Sequence, residues 1–266
     1  MNFRLQQGSA PLLVSIPHMG TEIPQALRGR YVPRALEVED ADWHLDRLYA
    51  FAHELGASVL QPTVSRYVID LNRPPDDAPM YPGASNTELC PTRFFSGDAL
   101  YAEGGAPAAD ARLQRREMYW APYHEALRQE LDRLRAAHGY ALLWDAHSIR
   151  AEIPWLFDGR LPDLNIGTAG GGSAHPGITE AVAAAAARHP QVTHVVNGRF
   201  KGGYITRHYG KPAEAIHAVQ LEMVQKLYME EAPPFAYDER KAARVQPVVR
   251  NMVAAALDAA RALHAR

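Results

Sequence analysis

Tyr140-Ala141-Leu142-Leu143-Trp144, running into Asp145-Ala146-His147-Ser148, is the stretch that decides the fold. Its five apolar residues follow Gly139, the stop of a long helix predicted from Ala108 to about Ala137 and interrupted at Pro122. A short apolar run in that position reads as a buried strand. The polar quartet then sits at the strand's carboxyl end. Near the start, Leu12-Leu13-Val14-Ser15-Ile16 runs into Pro17-His18-Met19-Gly20 in the same way. Strands alternating with helices predict an α/β, three-layer sandwich around a mixed, largely parallel sheet. Ligands collect at the carboxyl ends of strands in such sheets, which makes His18 and His147 candidate site residues.

Working outward, Glu39–Leu55 has apolar residues at helical spacing and stops at Gly56. Ser58–Pro62 and Ser65–Leu71 read as strands, the second closed by Pro74-Pro75. Residues 74–110 form an irregular excursion rich in Pro, Gly, Asp and Ala. Residues 149–175 read as loop, with the glycine run at 167–172 as a flexible lid. That run lacks the lysine and the helix-opening Ser/Thr of a phosphate-binding loop. Pro176–Arg188 is a predicted helix, Thr193–Val196 a strand, Ala215–Glu222 an apolar run ending in a carboxylate, and 241–265 a closing helix. No repeat or composition break divides residues 1–266, so one domain is expected.

The 266 residues carry a formal charge of −2, which gives no drive toward nucleic acid or anionic membranes. A single cysteine, Cys90, excludes an intrachain disulfide and a cysteine-based zinc cluster, and no base is paired with it in sequence. No apolar run approaches the roughly 20 residues of a membrane helix, and Met1–Gln7 lacks a signal peptide's apolar segment. A cytoplasmic protein with a small-molecule partner is expected. The oligomeric state is not legible.

Imidazole is the commonest nitrogen ligand of zinc, and a catalytic zinc takes three protein ligands and a water. His18 and His147 supply two, and Asp42 and Glu22 are both candidates for the third; the ordinary alternative is a pair of hydrogen-bonded histidines and an Asp capping a helix. Glu222, in Val219-Gln220-Leu221-Glu222-Met223, would gain a raised pKa from burial and suit acid–base work. Asp70, Asn72 and Arg73 fall within four residues and suggest an anion site. Arg66, Arg73, Arg93 and Arg207 adjoin strand ends or loops, and arginine grips carboxylates bidentately. His208 and His217 are left open.

In order, His18, Asp42, Asp70-Leu71-Asn72-Arg73, His147-Ser148 and Leu221-Glu222 resemble the zinc carboxypeptidases. More closely, nearly the whole chain resembles the N-formylglutamate amidohydrolase family. The resemblance lies in Ser15-Ile16-Pro17-His18, Asp42-Trp43-His44, Ser65 to Pro74, Asp145-Ala146-His147-Ser148, Gly159 to Asn165, and Asn197 to Gln220. It implies a zinc-carboxypeptidase-like fold and one divalent metal ion, zinc first, on His18, a carboxylate and His147. The carboxypeptidase acid three residues after the first histidine is here Thr21, so Asp42, within the Asp-Trp-His piece, is preferred over Glu22. Ser173 is followed by Ala174 where related chains tend to have a Cys, so no ligand is placed there. The resemblance further implies Glu222 as catalytic proton carrier and Asn72 and Arg73 on the substrate's α-carboxylate. Arg207 would take its side-chain carboxylate, Arg66 would join the substrate-binding set, and Asp70 would orient Arg66 or Arg73. The implied reaction cleaves N-formyl-L-glutamate to glutamate and formate, the last step of one bacterial histidine degradation route. The rivals are acetyl or succinyl substrates, or a non-catalytic dicarboxylate binder.

Overall fold

Among the described residues, seven strands join in one sheet. The computed structural model describes residues 2–80 and 86–265. The strands are β1 (Phe3–Gln6), β2 (Leu12–Ser15), β3 (Ser58–Pro62), β4 (Ala141–Ile149), β5 (Leu164–Gly167), β6 (His194–Val196) and β7 (Ile216–Val224). The β2–β3, β2–β4, β4–β7 and β5–β6 pairs are parallel; β1–β3 and β5–β7 are antiparallel. The strands lie in the order β1-β3-β2-β4-β7-β5-β6, so the mixed, largely parallel sheet is present. Its α-helices are α1 (Gln25–Arg28), α2 (Leu45–Leu48), α3 (Ala109–Arg115), α4 (Ala121–His138), α5 (Pro176–Ala187), α6 (Tyr204–Tyr209) and α7 (Glu239–His264).

β4 and β7 lie at the centre, and every residue of both is buried. Side chains alternate between faces along a strand. Leu142, Trp144 and Ala146, with Val219, Leu221 and Met223, pack with Val182 of α5 and Val249 and Met252 of α7. Ala141, Leu143 and Ala218 pack the other way, with Leu127 and Leu131 of α4 and Ile205 of α6. Helices on both faces complete the three layers. The second face then continues into polar residues: Asp145 lies opposite Gln220, and His147 opposite Glu222.

The structure corrects several expectations. Asp145–Ser148 lies within the strand, not past its carboxyl end, because the β4–β7 ladder continues to the Ile149–Val224 pair. Ser65–Leu71 is not a strand: β3 ends at Pro62, and the segment folds into turns, with Val68 N–H bonded to Ser65 O and Asp70 N–H to Leu89 O. Its apolar residues are buried all the same. The helix over Glu39–Leu55 shrinks to α2 and a 3₁₀ turn at Ala50–Ala52, since Val38 and His44 sit at positive φ (45° and 60°) and break the chain around residues 39–43. Asp42 therefore caps no helix. β5 lies inside the expected 149–175 loop, and β1 was not expected. The glycine run is no lid: it forms a 3₁₀ turn at Ala169–Gly171, and Asn197 Oδ1 accepts from Thr168 N–H and Gly170 N–H.

The long helix keeps its interruption. Before Pro122 it widens into a π turn, Arg116–Trp120. Proline has no N–H for the carbonyl four residues back, and that carbonyl, of Met118, accepts from Asn2 Nδ2 at 2.9 Å. The turn sets Trp120, whose Nε1 donates to Arg73 O at 3.0 Å. The described part of the 74–110 excursion is irregular, as expected; residues 81–85 lie outside the described residues. Among the described residues, no helix is long and apolar enough to cross a membrane.

Candidate active site

His18 leaves β2 in a turn, while His147 projects from the middle of β4. Each ring has a buried aspartate at one nitrogen: His18 Nε2 is 2.7 Å from Asp70 Oδ1, and His147 Nε2 is 3.0 Å from Asp145 Oδ1. Thr206 Oγ1 donates to the other oxygen of Asp145 at 2.8 Å. When both Nε2 atoms donate, both Nδ1 lone pairs face inward. These Nδ1 atoms are 3.2 Å apart, and Asp42 Oδ2 is 3.2 Å from one and 3.7 Å from the other. Ser148 N–H fixes Asp42 by donating to Oδ2 at 3.1 Å. Asp42 Oδ1 is buried without a hydrogen-bond partner.

Three electron-pair donors thus converge, one from each residue and all within 4.8 Å of one another. Acceptors facing acceptors in a buried site need a proton or a cation between them. Two imidazoles, each backed by a carboxylate, with a third carboxylate beside them, fit a zinc-type ion. Glu22, the other candidate, is exposed, in bridge pairing with Val64.

The surrounding charge points the same way. Asp42, Asp70, Asp145 and Glu222 are buried with Arg66. The Arg66 guanidinium lies 2.8 Å from Asp70 Oδ2 and 3.7 Å from Asp42 Oδ1, and 4.7 Å over the Phe95 ring. Burial works against the Asp70 carboxylate, but His18, Arg73 and Arg66 outweigh it and hold its pKa well below the usual range. For Asp42, the neighbouring imidazoles of His147 and His18 likewise overcome burial and lower the pKa. Burial would depress His147, yet Asp145 and Asp42 drive its pKa well above its ordinary value. Glu222 is pushed up to about 8, by burial first and by Asp42 and Asp145, against the pull of His147 and Arg66.

These groups open onto one cleft. Asn72 borders it, its Oδ1 accepting from Ile205 N–H at 2.8 Å, which turns its Nδ2 toward the His147 ring. A Cβ on Gly203 would stand 2.4 Å from that Nδ2, so the close approach requires glycine. Arg73 also lines the cleft, its Nε and Nη2 donating to Thr87 and its Nη1 to Asn72 O.

The structure does not bring every sequence candidate here. Arg207 is exposed on α6, its Nε donating to Gly202 O at 2.7 Å, and it does not line the cleft. Arg93 is exposed and donates to Gly97 O. Cys90 is buried, and burial pushes its thiol up to about 11. His217 contacts His264, and His208 stacks on Tyr204. Sequence reasoning missed Asp145, Gln220, Phe95, Phe157, Arg199 and Phe200 as site residues. Alternation in Asp145-Ala146-His147 and Gln220-Leu221-Glu222 marks the first two; nothing in the sequence marks the rim.

The model of the N-formylglutamate amidohydrolase family matches residues 10–229. An N-formylglutamate deformylase of Pseudomonas putida is 53% identical over 251 residues, 94% of each chain. One from Pseudomonas aeruginosa is 50% identical over 248 residues, 93% of each chain. The crystal structure of N-formylglutamate amidohydrolase from Ralstonia eutropha JMP134 superposes with a TM-score of 0.81 at 25% identity, covering 98% of this chain and 97% of that one. A structure from Agrobacterium tumefaciens shares the fold, with a TM-score of 0.72 at 18% identity over 97% and 95% of the two chains.

Proposed function

The chain belongs to the N-formylglutamate amidohydrolase family, and from that premise we propose that it hydrolyses the formamide bond of N-formyl-L-glutamate to glutamate and formate. The observation that carries the reading is the convergence of His18 Nδ1, His147 Nδ1 and the Asp42 carboxylate beside the buried Glu222. His18, Asp42 and His147 would hold one divalent ion, zinc first. Such an ion lowers the pKa of a water, polarises a formyl oxygen and, by its charge, draws a neighbouring carboxyl into its ionised form.

The chain's own residues do the rest. Glu222 stands across the β4–β7 ladder from His147, on the same face. Its carboxylate takes the attacking water's proton and returns it to the amide nitrogen as the C–N bond breaks. Gln220 Nε2, 3.4 Å from Glu222 Oε2, steadies that carboxylate. Asp70 and Asp145 hold the two rings in the tautomer that turns Nδ1 inward. Asn72 and Arg73 bind the α-carboxylate, and anchoring the substrate at a distance from the formyl group lowers the entropic part of the barrier. We place the reaction in the cytoplasm, as the last step of a histidine degradation route, and read residues 1–266 as one domain.

The test is stoichiometric release of formate and glutamate from N-formylglutamate by the purified protein. Release of neither product overturns the reading.

A further inference from the structure

N-Formylglutamate carries two carboxylates, and the cleft is lined by three guanidiniums, those of Arg66, Arg73 and Arg199. Arg66 is committed to Asp70 and Asp42. Among the described residues, Arg73 and Arg199 have no carboxylate within 4.0 Å; their hydrogen bonds go to Thr87, Asn72 O and Leu156 O. Two guanidiniums in one cleft, neither in direct contact with a carboxylate among the described residues, match two anionic ends of one ligand.

We propose that Arg199 binds the substrate's side-chain carboxylate while Arg73 binds the α-carboxylate, and that Arg199 thereby selects dicarboxylic substrates. The proposal rests on the deformylase reading and deepens it.

The segment that carries Arg199 is tied down on both sides. At its start Asn197 takes a left-handed conformation (φ 50°), with Oδ1 accepting from Thr168 N–H and Gly170 N–H. At its end Gly203 N–H donates to Gln220 Oε1 at 2.7 Å, and Gly203 abuts Asn72. Gly203 is four steps along the chain from Arg199, at most about 14 Å. Arg199 is therefore held within reach of a small ligand seated on Asn72 and Arg73. Its Nη2 donates to Leu156 O at 2.5 Å, which fixes the plane of the guanidinium at the rim. The remaining N–H groups can form the two-pronged contact that guanidinium makes with carboxylate.

The neighbours suit the rest of the ligand. Phe200 and Phe157, edge to face with centroids 6.2 Å apart, line the same cleft. They offer an apolar wall to the two methylenes between the carboxylates. Arg207, the candidate taken from the sequence, projects from the exposed side of α6 outside this cleft.

The test compares kcat/KM for N-formylglutamate and its side-chain amide N-formylglutamine, which keeps only the α-carboxylate, in the metal-loaded protein and in Arg199→Ala, Arg73→Ala and Arg207→Ala. Arg199→Ala should lower the value for N-formylglutamate roughly 10- to 100-fold, the range for a lost charged hydrogen bond, and leave N-formylglutamine nearly unchanged. Arg73→Ala should lower both together, Arg207→Ala should keep the wild-type preference, and Arg199→Lys should recover part of it. An Arg199→Ala protein that still prefers the dicarboxylate to the wild-type degree overturns the proposal, as does loss of the preference in Arg207→Ala. If the wild type cleaves neither compound, the deformylase reading falls by itself. Calorimetric binding of glutamate against glutamine then judges the clamp: Arg199→Ala must lose the difference between them, and a retained difference rejects it.

Discussion

The two halves of the cleft are built differently. One half stands on β4 and β7, where Asp145, His147, Gln220 and Glu222 project from one face of two fully buried strands in fixed register. The other half stands on turns and loops, which carry Asn72, Arg73, Thr87, Phe157 and Arg199. Groups that move protons or hold a charge must keep their spacing to fractions of an ångström, and a central parallel ladder provides that. Groups that choose the substrate sit on loops, whose lengths and side chains can vary without disturbing the ladder. His18 and Asp42 join the halves, both coming from turns yet held by Asp70 and Ser148 N–H.

If this division is right, substitutions in the sheet half should cost turnover and those in the loop half should cost affinity or selectivity. The largest effect is expected for Glu222→Gln, about 10²- to 10⁴-fold in kcat, with substrate affinity retained. An unchanged rate would remove Glu222 from its role and blur the comparison. Next comes Asp145→Asn, which leaves His147 without its carboxylate. Metal affinity should fall about 10- to 100-fold, read by competition with a chelator, while KM at saturating metal stays near wild type. A KM defect at full metal loading would place Asp145 with the substrate groups instead.

On the loop side, Arg73→Ala should raise KM by about 10-fold or more with a smaller change in kcat, as expected for a contact made alike in ground and transition states. A pure kcat loss would contradict its place in the binding half. The smallest effect is expected for Trp120→Phe, which removes the hydrogen bond to Arg73 O and leaves a smaller ring to stack on His124. KM should rise less than in Arg73→Ala. An equal rise would mean that the π turn, more than the guanidinium itself, sets the affinity.

The same division governs what could be read from the sequence. Short apolar runs between amphipathic stretches announced the α/β sandwich, and His18, Asp42, His147 and Glu222, named from their places along the chain, do come together. The strand endings were misplaced because β4 and β7 bury polar residues along their second halves, where a hydrophobicity pattern stops early. Ser65–Leu71 has the composition of a strand, yet its burial comes from turns packed beneath loops. β5 escaped notice because Leu164-Asn165-Ile166-Gly167 is four residues long and half polar or glycine. Loop side chains were the least legible. Arg199 and Arg207 are alike in a sequence, and only the placement of the Asn197–Gly203 segment puts one in the cleft and the other outside it.

The central claim is that the facing Nδ1 atoms and the Asp42 carboxylate are a metal site on which turnover depends. It is tested most directly by stripping the protein with a chelator and titrating zinc back while formate release is followed. Turnover is expected to vanish and then rise linearly to a plateau at one ion per chain. Full turnover in metal-free protein would contradict the account.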